Sequence, residues 1–217
     1  YNNNAHGNAN GILVINLPGL EYKAKGATNR VFDNTVTENN HDNFGKQGTA
    51  VAKMPQGSGI LLVTADETEV FDNTIEDNQS VGVGIANYEK FANNINDMDY
   101  EPYPEGNWVH DNELKNNGYD PKDGAVLAKQ MNGKAPQIFT MGTYDDSKDN
   151  SDGSLTNCAK GNKTAGGDPL EMIIIDSTSP CPNDPMGNAP SFCQVNSCTH
   201  DSLSEISLPQ RVLDMAK

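Results

Sequence analysis

The sequence predicts an all-β fold, a solenoid of stacked parallel β-coils, and three observations carry that expectation. A nine-residue kernel recurs at fixed offsets, a glycine-led apolar run follows each kernel, and the kernel is filled with Asn, Asp and Thr, which are poor helix formers. Val31-Phe32-Asp33-Asn34-Thr35-Val36-Thr37-Glu38-Asn39 and Val70-Phe71-Asp72-Asn73-Thr74-Ile75-Glu76-Asp77-Asn78 agree at six of nine positions, at an offset of 39 residues. Val109-His110-Asp111-Asn112-Glu113-Leu114-Lys115-Asn116-Asn117 lies a further 39 residues on, and Tyr1 to Asn8 is a fainter copy 31 residues before the first. The shared pattern is Asn, any residue, an apolar residue, any two residues, Asn.

Each element then has a reason. The runs Gly11-Ile12-Leu13-Val14-Ile15, Gly59-Ile60-Leu61-Leu62-Val63 and Gly82-Val83-Gly84-Ile85-Ala86 are β-rich and short, as buried parallel strands are. Kernel, run and return make a unit of about 22 residues once loops are removed, the size of one solenoid coil. Insertions at 17–29, 40–57 and 88–106 account for the longer offsets and are expected on one side of the stack. Coil-on-coil stacking places Asn34, Asn73 and Asn112 in one ladder and Asn39, Asn78 and Asn117 in another, with Asn tolerating left-handed turn geometry and its amide bonding the coils on either side. Val36, Ile75 and Leu114 stack inside, as do Val31, Val70 and Val109. Tyr1, Phe32 and Phe71 form an aromatic stack on one face, and His110 takes the next place in it.

The kernel fades after Tyr119, so residues 1–119 are read as coils and 120–217 as a loop-rich, cysteine-bearing C-terminal cap or small appended domain, with Leu170 to Asp176 its clearest strand. An open solenoid end exposes strand edges. Since the first coil starts mid-turn at Tyr1, the expectation is a C-terminal fragment of a longer solenoid, with self-association or a protein partner at the open end.

Composition excludes several functions. A net charge of -15 and a pI near 4.4 repel nucleic acid and anionic membrane. No apolar run approaches the roughly 18 residues of a spanning helix. Cys158, Cys181, Cys193 and Cys198 lie in a loop-rich tail without zinc-site spacing and read as two disulfides, hence an extracellular, cell-surface or periplasmic protein. Pairing stays open among the three connectivities, one of which joins Cys181 to Cys193 and Cys158 to Cys198.

The series Gly11-Ile12-Leu13-Val14 with Leu17-Pro18-Gly19-Leu20, then Arg30 to Asn34, Pro55-Gln56-Gly57-Ser58-Gly59-Ile60-Leu61, and Glu69 to Asn73 resembles the bacterial right-handed parallel β-helix repeat proteins of unassigned function. Pro102-Tyr103-Pro104-Glu105-Gly106 also fits that family. The likeness is close over residues 1 to about 118 and looser in the tail, where Cys198 and the stretch from Leu203 to Pro209 are similar to the family's ending. It implies a right-handed β-helix, exported, in the fold group of pectate lyases, polygalacturonases, mannuronan epimerases and phage tailspikes, and it hands over no reaction.

Function must come from a site, not the fold. The paired aspartates, Gly-His-Gly and basic substrate clamp of a polygalacturonase are not found in order along the sequence. Lyase or epimerase chemistry needs calcium or an arginine beside a base, and neither Arg30 nor Arg211 is expected to sit in an acidic, aromatic-rich cluster. No catalytic residue is therefore assigned. The third insertion offers the best ligand-binding set: Asp97, Asp99, Tyr100, Glu101, Tyr103 and Glu105, where tyrosines suit sugar rings and clustered carboxylates suit calcium. His41-Asp42 and His110-Asp111 are acid/base pairs by type, with His110 expected to be structural. Asp145 to Gly153 fails the EF-hand pattern and reads as a disordered acidic loop with weak affinity for calcium. The expectation is an exported β-helix that binds or modifies an extended polysaccharide; the alternative is a non-catalytic surface or assembly protein presenting loops to a protein partner.

Overall fold

A computed structural model describes residues 1–19, 26–88, 97, 99–122, 135–141, 145, 147–176, 191–195, 198 and 200–204, with the backbone only for 174–176 and 191–195. The chain winds as a parallel β-helix with three strands per coil. The first coil holds β1 (Asn4–His6), β2 (Asn10–Ile15) and β3 (Arg30–Phe32), and the second β4 (Thr35–Thr37), β5 (Ser58–Val63) and β6 (Glu69–Phe71). The third holds β7 (Thr74–Glu76), β8 (Val81–Ala86) and β9 (Trp108–His110), and the fourth β10 (Glu113–Lys115), β11 (Ile138–Met141) and β12 (Cys158–Lys160). Then follow β13 (Lys163–Thr164), β14 (Met172–Asp176) and β15 (Ser191–Val195). Sheet one is β1-β4-β7-β10-β13, sheet two β2-β5-β8-β11-β14-β15, and sheet three β3-β6-β9-β12. All pairs are parallel except β14 with β15, an antiparallel hairpin that covers the last edge of sheet two.

Alternation of side chains along each strand explains the core. The middle residue of every three-residue strand points inward, so Val36, Ile75 and Leu114 stack against Val31, Val70 and Val109, and both sets meet Ile60, Leu62, Val83 and Ile85 of the long strands. The glycines that open those long strands are needed for close approach rather than for an unusual φ. A Cβ on Gly59 would stand 2.5 Å from the Gly82 carbonyl oxygen and 2.9 Å from Ile75 Cγ2. Gly11 and Gly82 occupy the same place in their coils and are crowded in the same way.

The asparagine ladders form in the expected register. Asn34 N–H and Nδ2 both donate to Asn73 Oδ1, at 3.0 and 2.8 Å, and Asn73 repeats this toward Asn112 and Asn112 toward Asn162. The second ladder runs from Asn8 through Asn39 and Asn78 to Asn117, where Gln137 Oε1 takes over as acceptor. A third ladder, not anticipated above, joins Thr68, Asn107 and Asn157. The left-handed geometry falls one residue earlier than expected. It belongs to Asn2, Asp33, Asp72, Asp111 and Gly161, with φ of 51 to 72°, each just before a ladder asparagine. That turn aims the asparagine inward, where its amide reaches both neighbouring coils, as when Asn73 Nδ2 donates to Val31 O of the preceding coil.

Coil structure runs on past residue 119. Cys158-Ala159-Lys160-Gly161-Asn162 pairs in register with Trp108 to His110 and supplies the next ladder asparagine at an offset of 50. Glycine in place of aspartate and the longer insertion before it hide this kernel in the sequence. The insertions also divide between two corners. Residues 17–29 and 88–106 follow the long strand of their coils, whereas 40–57 precede it, so the second insertion lies on the other flank of sheet two.

Candidate functional site

The two outward columns of sheet three bring charged and aromatic side chains together on one face of the solenoid. With Val31, Val70, Val109 and Ala159 pointing inward, their neighbours must point out: Arg30, Glu69, Trp108 and Cys158 stack in one column, and Phe32, Phe71, His110 and Lys160 in the other. Tyr1, Phe32, Phe71 and His110 do stack, with centroids 4.9, 4.9 and 5.1 Å apart, and His110 is structural in that sense. Arg30 corrects the sequence reading that placed it outside any acidic, aromatic cluster. Its guanidinium lies 5.0 Å from both phenyl centroids and its Nε 3.1 Å from Glu69 Oε2. The reason is stacking, which brings residues 39 apart in sequence side by side.

Glu69 is the centre of this cluster. It is 3% exposed, and a carboxylate so buried requires partners. Arg30 and the Leu203 N–H, at 3.3 Å, donate to Oε2, and His110 Nε2 lies 3.1 Å from Oε1. His110 Nδ1 in turn lies 2.8 Å from Asp111 Oδ2. The Trp108 ring packs on the His110 ring at 3.8 Å, and its indole Nε1 is buried with no hydrogen-bond partner among the described residues.

A strap from the C-terminal region crosses this face. The Cys158–Cys198 disulfide fixes one end, His200 Nε2 donates to the Thr156 carbonyl at 2.7 Å, and the Leu203 amide reaches Glu69. Between strap and sheet lies a cleft of 230 Å³, walled by Glu67, Trp108 and Ser154 on one side and by His200, Asp201 and Leu203 on the other. Of the three connectivities left open by the sequence, the one that joins Cys158 to Cys198 is present. Cys181 lies outside the described residues, as does the Cys193 side chain.

The residues expected to bind ligand occupy the flank of sheet two and are engaged there. Asp97 Oδ2 accepts from Gly19 N at 2.9 Å, tying the third insertion to the first, and Asp97 Oδ1 accepts from Asp99 N. Tyr100 donates its hydroxyl to Asn16 O at 3.0 Å while its ring packs with Met54, Leu61, Val63 and Tyr88. Glu101 accepts from the Tyr103 amide and pairs with Lys148. Glu105, buried, accepts from Asp145 N at 2.9 Å and from Lys148 Nζ at 2.6 Å. Burial by itself would lower the Lys148 pKa, but hydrogen bonds to and the charges of Glu101 and Glu105 outweigh it and hold the ammonium above its ordinary 10.5. Asp97 and Tyr100 therefore fasten the third insertion to the first coil, and Glu101 and Glu105 fasten it to Lys148.

The segment 145–153 is not a disordered loop where it is described. Asp145, Asp149 and Asp152 each accept from the amide two residues on, in successive Asx turns. Hydrogen bonds from Ser147, with a smaller contribution from Lys148, hold Asp145 below the usual carboxylate range, against a small opposing effect of burial. Among the described residues no three His, Cys, Asp or Glu side chains converge as a metal site would require. Nor is any helix among them long and apolar enough to cross a membrane.

Sequence reasoning missed Glu67, Glu69, Trp108, His200 and Asp201. One signal was available: Arg30, Glu69, Trp108 and Cys158 all precede the inward residue of their kernels, so the sole tryptophan was bound to stack beside a carboxylate and a cysteine. Comparison of the chain with family models, curated proteins and solved structures finds no match.

Proposed function

We propose that this is an exported carbohydrate-binding β-helix that holds a neutral or amine-bearing sugar of an extended polysaccharide in the cleft beside Trp108. The observation that carries the reading is the Trp108 side chain, whose indole N–H is buried without an acceptor among the described residues, at the wall of a cleft also lined by Glu67, Ser154, His200, Asp201 and Leu203. A buried donor left unpaired is costly, and a sugar whose binding opens this N–H to a hydroxyl or ring oxygen gains the missing bond. Hydroxyl groups of the same sugar would donate to Glu67 and Asp201. Those carboxylates, on a chain of net charge -15, disfavour a polyuronate and favour neutral or cationic sugars. The disulfide supports an oxidising compartment.

Glycan-array binding, followed by titration of Trp108 fluorescence, tests the proposal. Binding of neutral or amino-sugar polymers that shifts the emission and weakens about tenfold in Trp108→Phe supports it, since one hydrogen bond is worth about 1.4 kcal/mol. No binding to any glycan, or binding indifferent to Trp108→Phe and Asp201→Asn together, would sink it and favour a protein-assembly role.

A further inference from the structure

The strap is longer than the distance it covers. From Cys198 to Leu203 the chain takes five residue steps and reaches up to about 17 Å when extended. Its anchors, Cys158 and Glu69, belong to coils two steps apart, a separation of about 10 Å. Trp108 stands between them in the same column. Of the strap, His200, Asp201 and Leu203 form the far wall of the cleft, opposite Trp108.

Only one of the strap's described attachments is covalent. The other two are single hydrogen bonds, His200 to Thr156 O and Leu203 N to Glu69, each worth little against water. Beneath the strap, sheet three is complete without it: Glu69 keeps Arg30 and His110, and the ladders through Asn107 and Asn112 run on unbroken. We infer that the Cys158–Cys198 disulfide assembles the cleft, so that the site exists in the oxidised protein and is dismantled when a dithiol reductant opens the bond, while the coils stay folded. In that exchange the disulfide gains two electrons and two protons to give two thiols, and the dithiol is oxidised to its own disulfide. What the cleft holds rests on the reading above; the movement of the strap does not.

The sole tryptophan makes this measurable. In the oxidised full chain, Trp108 should be poorly quenched by acrylamide, a neutral probe that the acidic surface does not repel. Dithiothreitol should raise the quenching constant several-fold and red-shift the emission, with far-ultraviolet circular dichroism unchanged. The Cys158→Ser/Cys198→Ser double variant should start in the quenched state and ignore the reductant. A response that persists in the double variant would assign the effect to the other cysteines and overturn the inference, as would unchanged quenching on reduction or simultaneous loss of β signal. Should the double variant fail to fold, Cys181→Ser/Cys193→Ser, which keeps the Cys158–Cys198 bond, should respond to dithiothreitol as the wild type does, and loss of the response there would overturn the inference. The two readings separate cleanly: exposure of Trp108 without glycan binding in either state refutes the sugar and keeps the switch, whereas glycan binding that survives reduction refutes the switch and keeps the sugar.

Discussion

Sheet two and sheet three both need their outer faces covered, and the solenoid covers them in opposite ways. Over sheet two, Met54, Ala50, Leu17, Tyr88 and Tyr100 from the insertions close onto Leu13, Ile15, Leu61, Val63, Val81 and Phe139 as a second apolar core. Over sheet three, a slack polar strap stands on a disulfide and two hydrogen bonds and leaves a cleft. A cover that packs apolar surface adds stability and excludes ligand. One that spans polar surface leaves room for one.

Truncation tests this contrast most strongly. Met54→Ala should cost about 2–5 kcal/mol in urea unfolding, because Met54 is 2% exposed and anchors the second insertion. Leu203→Ala, on the half-buried strap, should cost well under about 1 kcal/mol in the same assay; equal losses would refute the contrast.

Next in size is Lys148→Met, expected to cost about 2 kcal/mol, because Glu105 stays buried with only the Asp145 amide to satisfy it. The pH dependence follows from the sign of the shift. A lysine whose folded pKa is raised stabilises fully below its unfolded value of 10.5 and ceases to do so as pH rises through the folded value. Alkaline unfolding of the wild type above pH 10.5 should thus include a component missing from Lys148→Met.

Tyr100→Phe removes the bond to Asn16 O and should cost about 1 kcal/mol in urea unfolding. Smallest of all, Trp108→Phe should leave stability within about 0.5 kcal/mol, since the lost N–H had no acceptor among the described residues; a larger loss would mean that this N–H is already spoken for in the free protein.

Legibility followed chemical identity. The ladders through Asn34, Asn73 and Asn112 and through Asn39, Asn78 and Asn117 could be read because one residue type recurs at one offset. The third ladder mixes Thr68 with Asn107 and Asn157, and the coil around Asn162 arrives at an offset of 50, so neither repeats visibly. The third insertion drew attention because its carboxylates and tyrosines are contiguous, yet contiguity gave no sign that Lys148, from the next coil, would hold them. The cleft depends on a contact between Leu203 and Glu69, 134 residues apart, and no local pattern encodes that.

The ladders also have a direction. From side chain to side chain every rung donates toward the later coil and accepts from the earlier one, so the amide oxygens all face the first coil, while a second N–H of the inner rungs bonds a backbone carbonyl of the earlier coil. Aligned amides polarise one another, and each bond strengthens the next. A rung lost from the middle therefore weakens its neighbours on both sides, whereas one lost from an end weakens a single neighbour. Coils far apart in the sequence are in this way coupled cooperatively through a row of dipoles, and damage to one is felt along the length of the stack.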